Sequence, residues 1–356
     1  MSTGFAQRVL AWGAVHGRRG LPWQGQRDPY RVWVSEIVLQ QTPVATAVPY
    51  YRRVLERFPT VRRLAAAPLT EVMPLWAGLG YYARARNLHR CAKVVVAEYG
   101  GRFPRSVEAL AALPGVGRST AAAIAAFCFD VRAPILDGNV KRVLARHDGV
   151  EGFPGAAPVE RELWRLAERR LPPAARMPAY TQAIMDLGAA ICTRRAPRCA
   201  DCPLRATCVA RREGRVEQLP APRPARTRRV ERVHWLIVVQ RGRVLLERRP
   251  PHGIWGGLLA PPQFARPTAL RRAAAAVDAA AALHPLPARR HALTHCILEF
   301  TPYLVRPRTR PTVQAPRQWL PLRAVGSAAL PAPVRSLLSA LAPAAVRGPR
   351  AASGSG

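Results

Sequence analysis

Leu113-Pro114-Gly115-Val116-Gly117-Arg118-Ser119-Thr120-Ala121 reads as a glycine-rich turn opening directly into a helix. Glycines leave backbone N–H groups uncovered, and the first turn of a helix adds more that have no partner of their own. Together they can dock one phosphate. A glycine turn between two packed helices would look the same, so the stretch has to be judged by its downstream neighbours. Twenty residues past Gly117 lies Asp137, within Pro134-Ile135-Leu136-Asp137-Gly138-Asn139-Val140-Lys141-Arg142. There it starts the next helix, where it would be an ordinary cap. The same position keeps it ionised and aimed at the mouth beside the anion-docking turn.

Upstream, Val32-Trp33-Val34-Ser35-Glu36-Ile37-Val38-Leu39-Gln40-Gln41-Thr42 embeds an acid in an apolar helix. Such a glutamate is either paired structurally or held protonated in a pocket, where burial raises its pKa toward that of a general acid. From residue 3 to about residue 210 the apolar positions (Val34, Ile37, Val38, Val44, Val48, Val94, Val95, 121–127) keep helical spacing. Leu21-Pro22, Arg27-Asp28-Pro29, Phe58-Pro59, Phe103-Pro104 and Leu113-Pro114-Gly115 interrupt them, which predicts an all-α region of short-looped helices.

Downstream, Cys192, Cys199, Cys202 and Cys208 are spaced C-x6-C-x2-C-x5-C. Four thiolates so close in sequence can meet around one group, and soft sulfur selects iron–sulfur clusters or zinc. A zinc ribbon usually brings two separated C-x2-C pairs, so the uneven spacing favours a 4Fe–4S cluster. A disulfide pair is also conceivable, but nothing else in the sequence looks secreted. Cys91, Cys128 and Cys296 lie among apolar neighbours and read as buried, inert thiols.

The chain has 356 residues, which implies two domains. Lys and Arg number 55 against 21 acids, a formal charge of +34, and all but Lys93 and Lys141 are arginine. That surplus implies a polyanionic partner, nucleic acid before an acidic membrane surface. No apolar run is long enough for a signal peptide or a membrane span, so a reducing cytosol is expected, and no membrane partner.

Residues 1–212 are thus expected to form the helical domain with the cysteine loop, and 213–231, rich in Pro and Arg, a stiff linker. Residues 232–342 read as a small α+β domain. It has a hairpin around Arg241-Gly242, a helix from Leu270 to Leu283, and strands at His295 to Val305 and Gln318 to Leu320. The Pro, Gly, Ser and Ala of 343–356 read as a disordered tail.

These motifs taken together resemble the MutY-type adenine DNA glycosylases of the helix–hairpin–helix DNA glycosylase superfamily. The resemblance runs from Trp12 to about Leu341. It also rests on Leu21-Pro22-Trp23, on Trp76-x-Gly78-Leu79-Gly80-Tyr81-Tyr82-Ala83-Arg84-Ala85-Arg86-Asn87-Leu88 and on Met185-Asp186-Leu187-Gly188. The fold it implies is an all-α helix–hairpin–helix glycosylase domain with an iron–sulfur loop, followed by an α+β Nudix-like domain. It implies excision of adenine mispaired with 8-oxoguanine or guanine in double-stranded DNA. Glu36 would protonate the base, ionised Asp137 would stabilise the oxocarbenium-like sugar, and Asn139 would orient Asp137. Trp23, Leu39, Gln41 and Gln182 would line the adenine pocket, with Ser119 on the substrate side. Gln40 and Tyr81 would enter the duplex, and Gly115, Gly117, Lys141 and Arg142 would hold phosphates. The four cysteines would carry the 4Fe–4S cluster as a structural clip. Leu293-Thr294-His295 matches the segment with which the family inspects the oxidised guanine, although an aliphatic residue replaces its aromatic wedge. A monomeric cytoplasmic enzyme, at the nucleoid in a bacterium, is the corresponding expectation.

The rival is an endonuclease III-type glycosylase/lyase, which would need a lysine where Ser119 stands; Lys141 lies on the wrong side of Asp137. A non-catalytic DNA-binding protein and a thymine-mismatch glycosylase are two further possibilities. The alanines of the segment after Leu270, with the single acid Asp278, lack the glutamates that a working Nudix hydrolase uses to hold magnesium.

Overall fold

Prolines and short polar side chains set the ends of the helices. The structure, a computed structural model, describes residues 4–224, 227–251, 253–293 and 295–341. In chain order its helices are α1 (Phe5–His16), α2 (Pro29–Leu39), α3 (Val44–Arg57), α4 (Val61–Ala66), α5 (Leu69–Leu75), α6 (Ala83–Tyr99), α7 (Val107–Ala111), α8 (Arg118–Phe129), α9 (Gly138–Asp148), α10 (Ala157–Arg169), α11 (Met177–Ala190), α12 (Val209–Arg212), α13 (Pro267–Val277) and α14 (Ala332–Leu341). Asp28 caps α2 by accepting from the Tyr30 N–H at 2.9 Å, with Pro29 in the first position. Thr60 and Ser106 cap α4 and α7 in the same way. Among the described residues no helix is long and apolar enough to cross a membrane.

Two compact units make up the chain: Met1–Ala67 with Arg86–Ala225, and Pro68–Ala85 with Arg226–Gly356. Helical spacing alone assigns residues 68–85 to the first domain. In the structure they belong with the second unit, where the Tyr82 hydroxyl donates to the Leu330 carbonyl at 3.1 Å.

The first unit is built around α11, whose Met177, Tyr180, Ala183, Ile184, Leu187 and Gly188 are all buried. It packs against α1, α8 and α9. A helix apolar on nearly every side is the expected centre of an all-α core. Gly188 lets α11 approach α9 closely: a Cβ there would stand 2.6 Å from the Asn139 Cβ and 3.0 Å from its backbone.

The second unit holds a mixed sheet of strands β1 (Arg229–Gln240), β2 (Arg243–Arg248), β3 (Leu259–Ala260), β4 (Gln263–Phe264), β5 (Leu283–Pro285), β6 (Arg289–Ala292), β7 (Cys296–Val305) and β8 (Arg317–Pro321). The central order is β3-β2-β1-β7-β5; β4 pairs with β1, β6 with β7 and β8 with β2. Only the β1–β7 pairing is parallel among these. Arg241 and Gly242 both have positive φ (44° and 70°), the backbone of a tight two-residue hairpin. Alternation along β1 covers both faces: Val233, Trp235, Ile237 and Val239 pack with α14, while Leu236 and Val238 pack with α13. Trp235 stacks on Phe300 with ring centroids 3.9 Å apart.

Two boundaries differ from the sequence reading. Strand β1 begins at Arg229, inside the stretch read as linker, because residues 229–231 pair with Cys296, Ile297 and Leu298. Helix α13 spans Pro267–Val277 rather than running on to Leu283. Asp278 is extended, and its carboxylate accepts from the Ala280 and Arg308 N–H groups, which breaks the helix. The tail, 343–356, lies outside the described residues.

Replacing Gly188 with alanine forces a methyl group into Asn139. Overpacking of this kind costs about 1–3 kcal/mol, so urea unfolding of Gly188→Ala should show a loss of that order.

Candidate active site

Four elements of the first unit bring their polar residues to one place. Helix α2 supplies Glu36 and Leu39, and the turn after it supplies Gln40 and Gln41. Ser119 comes from the first turn of α8, Asp137 and Asn139 from the start of α9, and Gln182 from α11. With Trp23 they line a single cleft of about 860 Å³, within the usual size of a ligand pocket.

The two carboxyls are in unlike surroundings. Burial pushes Glu36 up to about 8, the charge of Asp137 adds to that push, and no hydrogen bond offsets it. Burial also raises Asp137. The Val140 N–H, the Arg142 charge and Asn139 offset only part of that, so it stays above its ordinary value. Asp137 Oδ1 accepts from the Val140 N–H at 2.8 Å as the cap of α9, and Oδ2 accepts from Asn139 Nδ2 at 3.2 Å. The two charges repel each other, and only Asp137 has hydrogen bonds to its carboxylate, so Asp137 is the better placed to carry charge and Glu36 to hold a proton. A neutral acid and an anion on one cleft can protonate one part of a ligand and stabilise positive charge on another.

Several braces hold this pair. The Leu136 N–H donates to Ser119 Oγ at 3.0 Å, which ties the segment before Asp137 to α8. Trp23 packs edge-on against Tyr51 with centroids 5.3 Å apart. Arg18, in the cleft wall, pairs with the wholly buried Asp186 at 2.6 Å, and Gln182 Nε2 donates to the same carboxylate at 2.8 Å. Sequence reasoning places Asp186 only within a motif and misses Arg18. One arginine among so many carries no signal, and the pairing spans 168 residues.

Other expected residues lie elsewhere. Tyr81, 53% exposed with φ 48°, belongs to the second unit. Leu293 and exposed His295 sit in the β6–β7 turn, where the Leu293 N–H donates to the Cys296 carbonyl at 2.8 Å; Thr294 lies outside the described residues. Gly115 has φ 78° and a Cβ there would meet the Asn87 side chain at 2.6 Å, so the turn requires glycine. Gly117 caps α8 without a side-chain bond and faces open space.

The two cations expected to hold phosphates are already engaged. Lys141 pairs with Glu160 at 2.7 Å. Arg142 donates to the Cys192 and Gly188 carbonyls, both at 2.6 Å, and to Asn139 Oδ1 at 2.9 Å. Its guanidinium is an internal brace between α9 and the end of α11. Helical spacing could not reveal this, because the acceptors are main-chain carbonyls about fifty residues away.

Cys192, Cys199, Cys202 and Cys208 all line a second, small cavity in the same unit. Burial lifts Cys202 to about 11, and the other three thiols add to the push. Buried Arg146 faces them, donating to Cys192 Sγ at 3.4 Å and to the Thr193 carbonyl at 2.6 Å. Among the described residues no group of three or more His, Cys, Asp or Glu closes tightly enough for a metal ion.

Glu36 also makes stability depend on pH. Its pKa is raised on folding, so its contribution is full below about 4.5 and is lost as pH rises through about 8. Glu36→Gln should therefore gain on the wild type between those limits, by on the order of a few kcal/mol at the upper one. Denaturant titrations at pH 5 and pH 8 measure the gap, which should widen at pH 8.

Comparison with known proteins identifies the family of each region. Residues 34–169 match the HhH-GPD superfamily base excision DNA repair protein family, and residues 234–340 the NUDIX domain. The adenine DNA glycosylase of Buchnera aphidicola subsp. Baizongia pistaciae (strain Bp) is 39% identical over 263 residues, 74% of this chain and 74% of that protein. The Homo sapiens adenine DNA glycosylase is 44% identical over 228 residues, 62% of this chain and 41% of the human protein. Among solved structures, a thermostable thymine-DNA glycosylase aligns with a TM-score of 0.54 and 30% identity, covering 59% of this chain and 95% of its own. An endonuclease III–DNA complex, at 23% identity and a TM-score of 0.50, shares the fold. The chain belongs to the adenine DNA glycosylase family, with a helical HhH-GPD region followed by a Nudix-like α+β domain.

Proposed function

We propose that the chain hydrolyses the N-glycosidic bond of adenine mispaired with 8-oxoguanine or guanine in duplex DNA, as a monofunctional enzyme of base excision repair. The reading is carried by one observation: a carboxyl lifted to about 8 and a hydrogen-bonded carboxyl line the same cleft. Adenine cannot be reached within the stack, so the nucleotide is everted into the cleft. Neutral Glu36 donates its proton to the ring at N7, which makes the base a better leaving group. Asp137 stabilises the positive charge that develops on the sugar, and water then replaces the base.

Trp23, Leu39, Gln41 and Gln182 enclose the adenine, with Ser119 behind them; Gln40 and Tyr81 enter the duplex. Gly115 and Gly117 present the uncapped N-terminus of α8 to a phosphate. The Ser119 hydroxyl, engaged by the Leu136 N–H, is no amine. It forms no imine with the sugar, which separates this chain from the glycosylase/lyases. Leu293, Thr294 and His295 inspect the opposite base. Helix α13, Pro-Thr-Ala-Leu-Arg-Arg-Ala-Ala-Ala-Ala-Val, has no carboxylate for magnesium, so the Nudix-like unit recognises and does not hydrolyse.

Cys192, Cys199, Cys202 and Cys208 would hold a 4Fe–4S cluster. The all-sulfur donor set and its spread around a cavity suit that group. When bound it supplies a structural clip for the loop, since the hydrolysis moves no electrons. In the proposed organisation the catalytic domain is 1–212 less residues 68–85, which group with the second unit; the connecting segment from 213 ends where β1 begins at Arg229, and the recognition domain follows, in a cytoplasmic monomer.

In single-turnover assays adenine should leave 8-oxoguanine:A and G:A duplexes and stay in T:A. Base release from G:T instead would favour a thymine-mismatch glycosylase, and efficient borohydride trapping would favour a lyase. Glu36→Gln should bind DNA but release adenine roughly 10²–10⁴-fold more slowly. The wild-type rate should fall as pH rises through about 8. Cys202→Ser should purify with less iron, read by metal analysis and visible absorbance.

A further inference from the structure

Gln182 carries both a hydrogen-bond donor and an acceptor, so which end faces the ligand decides what the cleft accepts. A neighbour fixes that choice. Asp186, one turn along α11, is fully buried, and its side chain is 1% exposed. Its Oδ2 accepts from the Arg18 N–H at 2.9 Å, and its Oδ1 accepts from Arg18 Nε and from Gln182 Nε2, at 2.6 and 2.8 Å. A carboxylate paired with a guanidinium can only accept, so the amide NH2 must turn toward it. The carbonyl Oε1 is left as the end that serves the cleft. Arg18 is held in turn by Gln24, whose Nε2 donates to the Arg18 carbonyl at 2.7 Å. Arg18, Gln24 and Gln182 all line the cleft.

We infer that Asp186, held by Arg18, is a positioning residue that locks Gln182 with its carbonyl toward the everted base, selecting a purine bearing an exocyclic amino group over one bearing a keto group. The inference rests on the cleft being the adenine pocket proposed above, and it adds which residue sets the polarity of that pocket. An amino group donates to Oε1. A 6-keto purine would set one acceptor against another, with both desolvated and neither satisfied.

Asp186 Oδ1 takes both the Arg18 guanidinium and the Gln182 NH2, so an Asn oxygen there would keep the lock, and the test instead removes the acceptor. Asp186→Leu fills much of the same space and accepts nothing, which frees the Gln182 amide to present either end to the ligand. Single-turnover release of adenine and of hypoxanthine, each opposite 8-oxoguanine, reads the outcome. The preference of the wild type for adenine over hypoxanthine should fall by about tenfold or more in Asp186→Leu. Gln182→Met, with neither donor nor acceptor and Asp186 intact, should lose the same preference even if Asp186→Leu folds poorly. Adding Asp186→Leu to Gln182→Met should leave the ratio where Gln182→Met put it, because the effect runs through Gln182. An unchanged ratio in Asp186→Leu or in Gln182→Met, with adenine still released, overturns the inference and leaves the glycosylase reading standing. A wild type that releases adenine from neither mispair overturns both.

Discussion

Two carboxyls that share one desolvated cleft cannot both carry charge at little cost, and the architecture of the first unit decides which one does. Asp137 sits where a helix begins, so main-chain N–H groups and Asn139 are aimed at it before any ligand arrives. Glu36 sits mid-helix among apolar neighbours, with nothing to offset its burial. The difference between the end of a helix and its interior biases which carboxyl holds the proton. Acid catalysis needs that asymmetry at a pH where a free glutamate would be ionised.

The asymmetry has to be held mechanically, and the holding is mostly indirect. Ser119 ties the Asp137 segment to α8, and Gly188 lets α11 come close enough to flank Asn139. Arg142 spans from Asn139 to the carbonyl of Cys192, so the cysteine loop and the start of α9 share one guanidinium. Such charge-assisted bonds to buried carbonyls are strong. They consume cations that the overall charge would otherwise offer to a polyanion, so a formal charge overstates how many arginines face outward.

Much of this was legible in the sequence because it is local. The glycine turn, the cap at Asp137, the acid in an apolar helix and the Arg241-Gly242 hairpin each depend on a few adjacent residues. The cleft then gathers Trp23, Glu36, Leu39, Gln40, Gln41, Ser119, Asp137, Asn139 and Gln182. Long-range choices were not legible. Nothing near Arg18 announces Asp186, nothing near Arg142 announces Cys192, and the packing of residues 68–85 with the second unit leaves their helical spacing unchanged. The early end of α13 escaped for another reason: alanines continue past Val277, and only the two N–H groups accepted by Asp278 stop the helix.

The central claim is a protonation state, and infrared difference spectra of wild type minus Glu36→Gln read it directly. The account requires a carboxylic-acid C=O band assignable to Glu36 at pH 7, disappearing as pH passes about 8. A carboxylate signature for Glu36 already present at pH 6 would contradict it.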